Sequence, residues 1–454
     1  MVGLATWMYA LDEGHAYVAS WIANRNALQA MVFALLALDS HVRWRRDGST
    51  RHGVAAPVLL VLGLLCGELA LSVVAYLFAY AVLLDHGPWS RRLAGLGLAA
   101  LTTVGWRVVY SALGYGTGGS QLYVDPVNSP ARFALAVLER LPLLLVGQLT
   151  PIPAELRMMA TGAAVVVLVV LCLGLLAIVG AAVWGLVRRE RLAAFFVLGG
   201  VLAAVPSCAT FPHDRLLVPV GIGVCGLVAL LLARTGESAS TALRHRFERG
   251  VAVTLTAFLA VLAPLNIPVR THSLPMLGKM FDGAAYSLDC VPDIDQKTVV
   301  FVHGPDFFMT AWTPVLRADV GRPFPKRIRV LGSSYEDVEV TRTGPRSLEL
   351  RPENGYLTSF LDLVMWSPDH PFTVGQRFTF SDLEIEVLEV TEDHRPAAIA
   401  ARFLHPLDSD DYAWVAWTRD GYRLFVLPEQ GETVHIEGVP LLDMMFDPVP
   451  VPSP

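Results

Sequence analysis

Two hydrophobic patterns divide the chain. Over residues 1–268 apolar positions run in long blocks broken by short charged clusters; over 285–454 they alternate with polar ones. The stretch Thr161 to Val187 holds 27 residues without a charge, and about 20 suffice to cross a bilayer. The alternation in KTVVFVHG, RIRVLG, DVEVTRT, SLELRP and YAWVAWTRDGYRLFVLP reads as short strands punctuated by Gly, Pro, Asp and Asn. The expected fold is an α-helical membrane domain of about eight spans over 1–268, then a linker over 269–284. A mainly β domain over 285–454 follows, with roughly seven to ten strands in a barrel or sandwich and a short helix near Asp306 to Leu316.

Basic loops give the first part a direction, because Lys and Arg collect on the cytoplasmic side of a membrane. RWRRDGSTRH from Arg43, RRER from Arg188, RHRFER from Arg244 and the weaker Ser90–Arg92 all fit that side. The path places the β domain outside: periplasmic in a bacterial inner-membrane protein, extracellular in a single-membrane organism. Residues 54–84 are too short for two ideal spans and predict two short helices meeting at Gly67–Glu68. Ser129–Pro130 reads as a helix cap and first helical residue, opening an amphipathic helix over 129–149 that lies in the outer interface, with a kink at Pro142. Residues 1–11 would rise about 16 Å as a helix, roughly half a hydrocarbon core. Either this is a short helix buried among the others or the gene model starts late.

Composition sharpens the division. The chain of 454 residues is 54% hydrophobic and 17% charged, against roughly a quarter charged in a soluble protein. Its formal net charge of −6 comes largely from the C-terminal part and points to no nucleic-acid partner. The five cysteines (Cys66, Cys172, Cys208, Cys225, Cys290) have no metal-ligand spacing and read as small buried hydrophobes. A Cys208–Cys290 disulfide is conceivable only because both fall on the oxidising side. There is no P-loop, dinucleotide fingerprint or metal cluster, so no cofactor is expected. HGPDFF from His303 superficially resembles a hydrolase turn, but no Gly-x-Ser-x-Gly accompanies it.

The chemistry gathers at the outer ends of the helices. Asp12, Glu13, His15, Asn24 and Arg25 close the first hairpin; Glu68 sits at the tip of the short pair. Arg107 lies in the outer half of its span, Tyr123 and Asp125 in an outer loop, and His213, Asp214 and Arg215 between two spans. Ionisable groups at membrane depth are costly unless paired or wet, so this set suggests a wet cavity open to the outside. Each member also has a plainer reading. Glu68 could pair with Arg107, His213–Arg215 could be a solvated loop, Asp12–Glu13 could cap the next helix, and Asp125–Pro126 is a turn on its own.

One further pattern carries a resemblance. WMYALDEGHAYVASWIANRNALQAMVFALLALDSHVRW resembles the third-to-fourth helix hairpin of the GT-C membrane glycosyltransferases, nearest the protein O-mannosyltransferase-like members. His15, Ile22, Arg25 and Leu28 match its His–Ile/Val–Arg–Leu spacing. Glu68 and Ala70 match the following segment, where Gly67 replaces a lysine and Val73–Val74 a proline region. The resemblance implies sugar transfer from a polyprenyl-phosphate donor to an envelope protein or glycan acceptor. It places Arg25, Arg107 and Arg215 on the phosphate, Glu68 and Asp214 as helpers of catalysis, and Asp12, His15, Tyr123, Asp125 and His213 against substrate. It also implies a catalytic carboxylate in a first outer loop after the first span, a region expected to have no counterpart in this chain. The rival expectations are a non-catalytic scaffold whose β domain binds envelope partners, and a transporter of a lipid-linked substrate.

Overall fold

The computed structural model describes residues 1–116, 119–160, 162–237, 242–447 and 449. The chain is 59% helical and forms two compact units: Met1–Thr117 with Tyr123–Leu274, and Gly118–Leu122 with Pro275–Pro454.

The first unit is built of helices in chain order: α1 (Val2–Ala10), α2 (His15–Ser20), α3 (Asn26–Asp47), α4 (Thr50–Cys66), α5 (Ser72–Leu83), α6 (Trp89–Ala112), α7 (Pro130–Leu149), α8 (Ala163–Arg189), α9 (Arg191–Ala204), α10 (Val218–Glu237), α11 (Leu243–Ala257) and α12 (Ala263–Ser287). Among the described residues five stretches are long and apolar enough to cross a membrane: Trp89–Ala112, Ala163–Arg189, Arg191–Ala209, Val218–Gly236 and Leu243–Cys290. This corrects the expected number of about eight. The missing spans are explicable. α3 has 22 residues but carries Asp39, Arg43, Arg45, Arg46 and Asp47, α1 has only 9 residues, and α4 and α5 are the short pair that the sequence foresaw, broken at Gly67 and a 3-10 turn over Glu68–Leu71.

Small residues let these helices approach closely. A Cβ on Gly223 of α10 would lie 2.9 Å from the Cα of Gly200 on α9, and one on Gly199 would strike the Tyr76 ring of α5. Tyr76 is buried and enters the backbone ladder of α10. Its hydroxyl donates to the Pro219 carbonyl at 2.7 Å and accepts from the Gly223 N–H at 3.0 Å, the pair that would otherwise bond each other.

Two expectations change. α7 does begin at Pro130 behind Ser129, but its second half (Pro142, Leu143, Leu144, Val146, Gly147, Gln148, Leu149) is core, so it does not lie on a surface throughout. The predicted linker 269–284 is helical, inside α12, and the border between the two units falls within that helix at Leu274–Pro275.

The second unit is a layered α/β body. β1 (Thr298–His303) leads through α13 (Phe307–Asp319) to β2 (Arg327–Val330), which pairs parallel with β1. Asp306 caps α13, its carboxylate accepting the Met309 N–H at 2.9 Å. The remaining strands are β3 (Val338–Gly344), β4 (Ser347–Pro352), β5 (Arg377–Thr379), β6 (Leu383–Val390), β7 (Pro396–Phe403), β8 (Tyr412–Thr418), β9 (Gly421–Leu424) and β10 (Thr433–Ile436), before α14 (Leu441–Phe446). They form a four-stranded sheet, β2-β1-β8-β9, and a six-stranded sheet, β10-β3-β4-β7-β6-β5. Alternation along β1 sorts its faces. Val300 and Val302 pack with Val340, Leu348, Leu350 and Ile399 of the six-stranded sheet; Val299 and Phe301 pack with Met280 and Ala284 of α12 and Met309 of α13. His303 is buried at the end of β1, consistent with a structural role for HGPDFF. All five cysteines are free thiols, which removes the Cys208–Cys290 disulfide.

Candidate functional site

The polar residues of the first unit do not form one group. Some converge on a buried cluster assembled from five places in the chain. Asp12 and Glu13 lie in the turn from α1 to α2, and His213, Asp214 and Arg215 in the turn from α9 to α10. Gln148 ends α7, and Glu155 stands on a 3-10 turn over Ala154–Met159. Asn266, Arg270 and Ser273 share one face of α12, at the i, i+4, i+7 spacing of a helix.

Arg270 is the centre. Its Nη1 lies 2.7 Å from Asp214 Oδ2 and 3.3 Å from Glu155 Oε1; its Nη2 lies 3.2 Å from Glu13 Oε1. Asn266 donates to the other Glu13 oxygen. Asp214 also accepts the Ala154 N–H at 2.9 Å, while its own N–H donates to Glu155 at 3.1 Å. Asp12 stands beside this knot without touching the guanidinium. It accepts the Gly14 N–H at 2.8 Å and an amide hydrogen of Gln148. Asp12, Glu13 and Asp214 are 4%, 3% and 1% exposed, so the solvated-loop reading of His213–Arg215 fails at Asp214. Three glycines make room: a Cβ on Gly147 would lie 3.0 Å from Asp214 Oδ1, on Gly14 3.0 Å from Asp12 Oδ1, and on Gly221 3.3 Å from Asp12 Oδ2.

The electrostatics are unbalanced. Four carboxylates face one guanidinium. Burial and the neighbouring Glu155 push the Asp214 carboxyl up to about 8, against the pull of Arg270. The contact with Arg270 alone would favour the ionised form, but burial disfavours charge in a crowd of like charges and prevails. Burial also raises Asp12, opposed by His15, and pushes His213 down to about 4, so this imidazole is no second cation. The cluster therefore holds a proton at neutral pH.

An aromatic layer adjoins it. Arg215 lies between the Trp21 and Phe211 rings at 5.4 and 5.3 Å and has no ion pair among the described residues. His213 stands edge-on to Tyr17 at 4.9 Å and Tyr123 to Phe211 at 6.3 Å. Ser273 donates to the Tyr17 hydroxyl at 3.2 Å. His15 sits edge-on to Tyr9 at 5.0 Å, its Nε2 buried and unpartnered.

The other expected residues lie in separate networks. Arg25 is exposed and donates through Nε to the Ala19 carbonyl at 2.9 Å, tying its own turn. Arg107 pairs with Asp125 at 2.5 Å, not with Glu68, and Asp125 also accepts the Val127 N–H at 2.8 Å. These contacts, Arg107 foremost, outweigh burial and hold the Asp125 carboxyl below its ordinary range. Glu68 is exposed and accepts from the Tyr110 hydroxyl at 3.0 Å. Among the described residues neither Glu68 nor Arg107 bonds to the Arg270 cluster. Sequence reading missed Gln148, Glu155, Asn266 and Arg270. The last two carried a signal, a polar stripe at helical spacing, hidden in a segment whose prolines suggested a linker. Comparison with known proteins returns no match, whether to a family model, a curated protein or a solved structure.

Proposed function

We propose that the protein is a GT-C-like membrane glycosyltransferase acting on a polyprenyl-phosphate-linked sugar, with the Arg270 cluster as its reaction centre. One observation carries this reading: Glu13, Glu155 and Asp214 close on Arg270 next to the buried Asp12, and Arg215, next in the chain to Asp214, stacks on the Trp21 and Phe211 rings. The GT-C resemblance places Asp12–Glu13 in a later hairpin than the first outer loop that holds the family's catalytic carboxylate, so the base role given below to Asp12 is this proposal's own.

The roles divide by partner. Glu13, Glu155 and Asp214 are engaged by Arg270, whereas Asp12 has no cation in contact among the described residues. Asp12 is therefore the general base. It takes the proton of an acceptor hydroxyl as the oxygen attacks the anomeric carbon. The bond from that carbon to the phosphate oxygen breaks, and the phosphate leaves carrying the electron pair. Arg215 meets the negative charge, as guanidinium groups suit phosphate oxygens. The basic ends of α3 and α8 and the basic start of α11 support an orientation with the reaction centre and β unit on the outer face of a bacterial cytoplasmic membrane.

Polyprenyl-phosphate binding to the protein in nanodiscs tests the phosphate role. Arg215→Ala should weaken it roughly tenfold, the worth of one charge-assisted hydrogen bond; unchanged binding removes Arg215 from the site. A second reading, passage of protons or cations with a lipid-linked substrate, is favoured by the excess of carboxylates over cations. A non-catalytic scaffold leaves that buried excess without a use.

A further inference from the structure

We propose a carbohydrate-binding platform at the outer end of α6, built from the Trp106, Tyr110 and Tyr115 rings and the Glu68 carboxylate. Three aromatic rings follow one another there. Trp106 and Tyr110 are 4.9 Å apart between centroids, and Tyr110 and Tyr115 are 5.5 Å apart, tilted by 41° and 39°. Trp106 and Tyr110 share a helix face at i, i+4; Tyr115 returns to the row because its N–H bonds the Tyr110 carbonyl at 3.1 Å. Tyr115 is 64% exposed. Trp106 and Tyr110 are half-buried, Trp106 against the helical core, and they back the exposed Tyr115 ring, which offers its face to the C–H groups of a pyranose ring, with polar groups at the edge for the hydroxyls.

The edge groups define the ligand. Glu68 is exposed and spends one hydrogen bond on the Tyr110 hydroxyl at 3.0 Å, through Oε1. Arg107 stacks 5.5 Å from the Tyr110 ring centroid, but Asp125 pairs with it at 2.5 Å and cancels its charge. The platform therefore carries a net negative charge. A phosphate or other anion would be repelled, whereas a neutral polyol can donate hydroxyls to Glu68. Tryptophan and tyrosine also gather at membrane interfaces as anchors. The bond from Tyr110 to Glu68 ties α6 to the Glu68–Leu71 turn, and lipid contact would penalise the exposed carboxylate. This site shares no hydrogen bond with the Arg270 cluster and does not rest on the transfer reading.

The test is calorimetric titration of the full chain in nanodiscs, without any lipid-linked donor, using maltohexaose, mannohexaose and chitohexaose. The wild-type protein should bind at least one saturably. Tyr115→Ala, at an exposed position, and the isosteric Glu68→Gln should each weaken binding roughly tenfold with an unchanged thermal midpoint. No saturable binding to any of the three would overturn the proposal. Binding that survives both substitutions would do the same, and would leave the rings as membrane anchors.

Discussion

Asp214 shows how one residue can report on a buried cluster. Its carboxyl ordinarily titrates near 3.8 and here near 8, so the folded state favours the protonated form. The stability this contributes is full below 3.8 and is lost as pH climbs through 8. His213 acts with the opposite sign. Pushed from 6.5 to about 4, it contributes stability above 6.5 that is lost as pH falls. Between pH 6.5 and 8 the His213 effect is nearly complete, and Asp214 titrates beside Asp12, whose carboxyl burial also raises. Across that window the wild-type helical unit should lose on the order of 2 kcal/mol, read as a falling thermal midpoint in nanodiscs. Asp214→Asn should flatten the slope; a slope equal to wild type would place the proton elsewhere.

Among the elements, some were plain in the sequence and some were not, for physical reasons. The start of α7 at Ser129–Pro130 and the break at Gly67–Glu68 are local signals that stand where they were read, and the short helix expected near Asp306 to Leu316 is α13. α12 was hidden because Pro264, Pro268 and Pro275 argue against a helix. Part of the compensation is tertiary: the Ala260 carbonyl, which Pro264 cannot bond, accepts the Trp7 indole N–H at 3.1 Å. No local pattern forecasts such a contact, and with α12 unread Arg270 and Asn266 stayed outside the site. Short strands in a barrel or a sandwich were expected from alternation, while the parallel β2-β1-β8 arrangement depends on pairings far apart in sequence. Close packing of α9 on α10 gives an element-level prediction. Gly223→Leu should lower stability by about 2 kcal/mol or more through overpacking. Gly174→Leu on α8, which meets no atom within 4 Å, should leave the thermal midpoint unmoved. Equal midpoints for the two variants would contradict the packing.

For the molecule as a whole, the functional reading stands on where the chain brings charge together: two turns, one helix end, one 3-10 turn and one face of α12. The sequence exposed the turns at Asp12–Glu13 and His213–Arg215 because charged residues stand out among apolar runs. It concealed the cation that joins them. With Arg270 in place, Glu13, Glu155 and Asp214 form one ion-pair framework, and the proposed function gives the role of base to Asp12.

The most direct test is native mass spectrometry of lipids retained by the wild-type protein and by Asp12→Asn after purification in nanodiscs. If Asp12 is the base of a sugar transfer, the variant should retain an intact polyprenyl-phosphate-linked sugar, while the wild type retains polyprenyl phosphate. The same lipid on both proteins, or no polyprenyl lipid on either, would contradict the account.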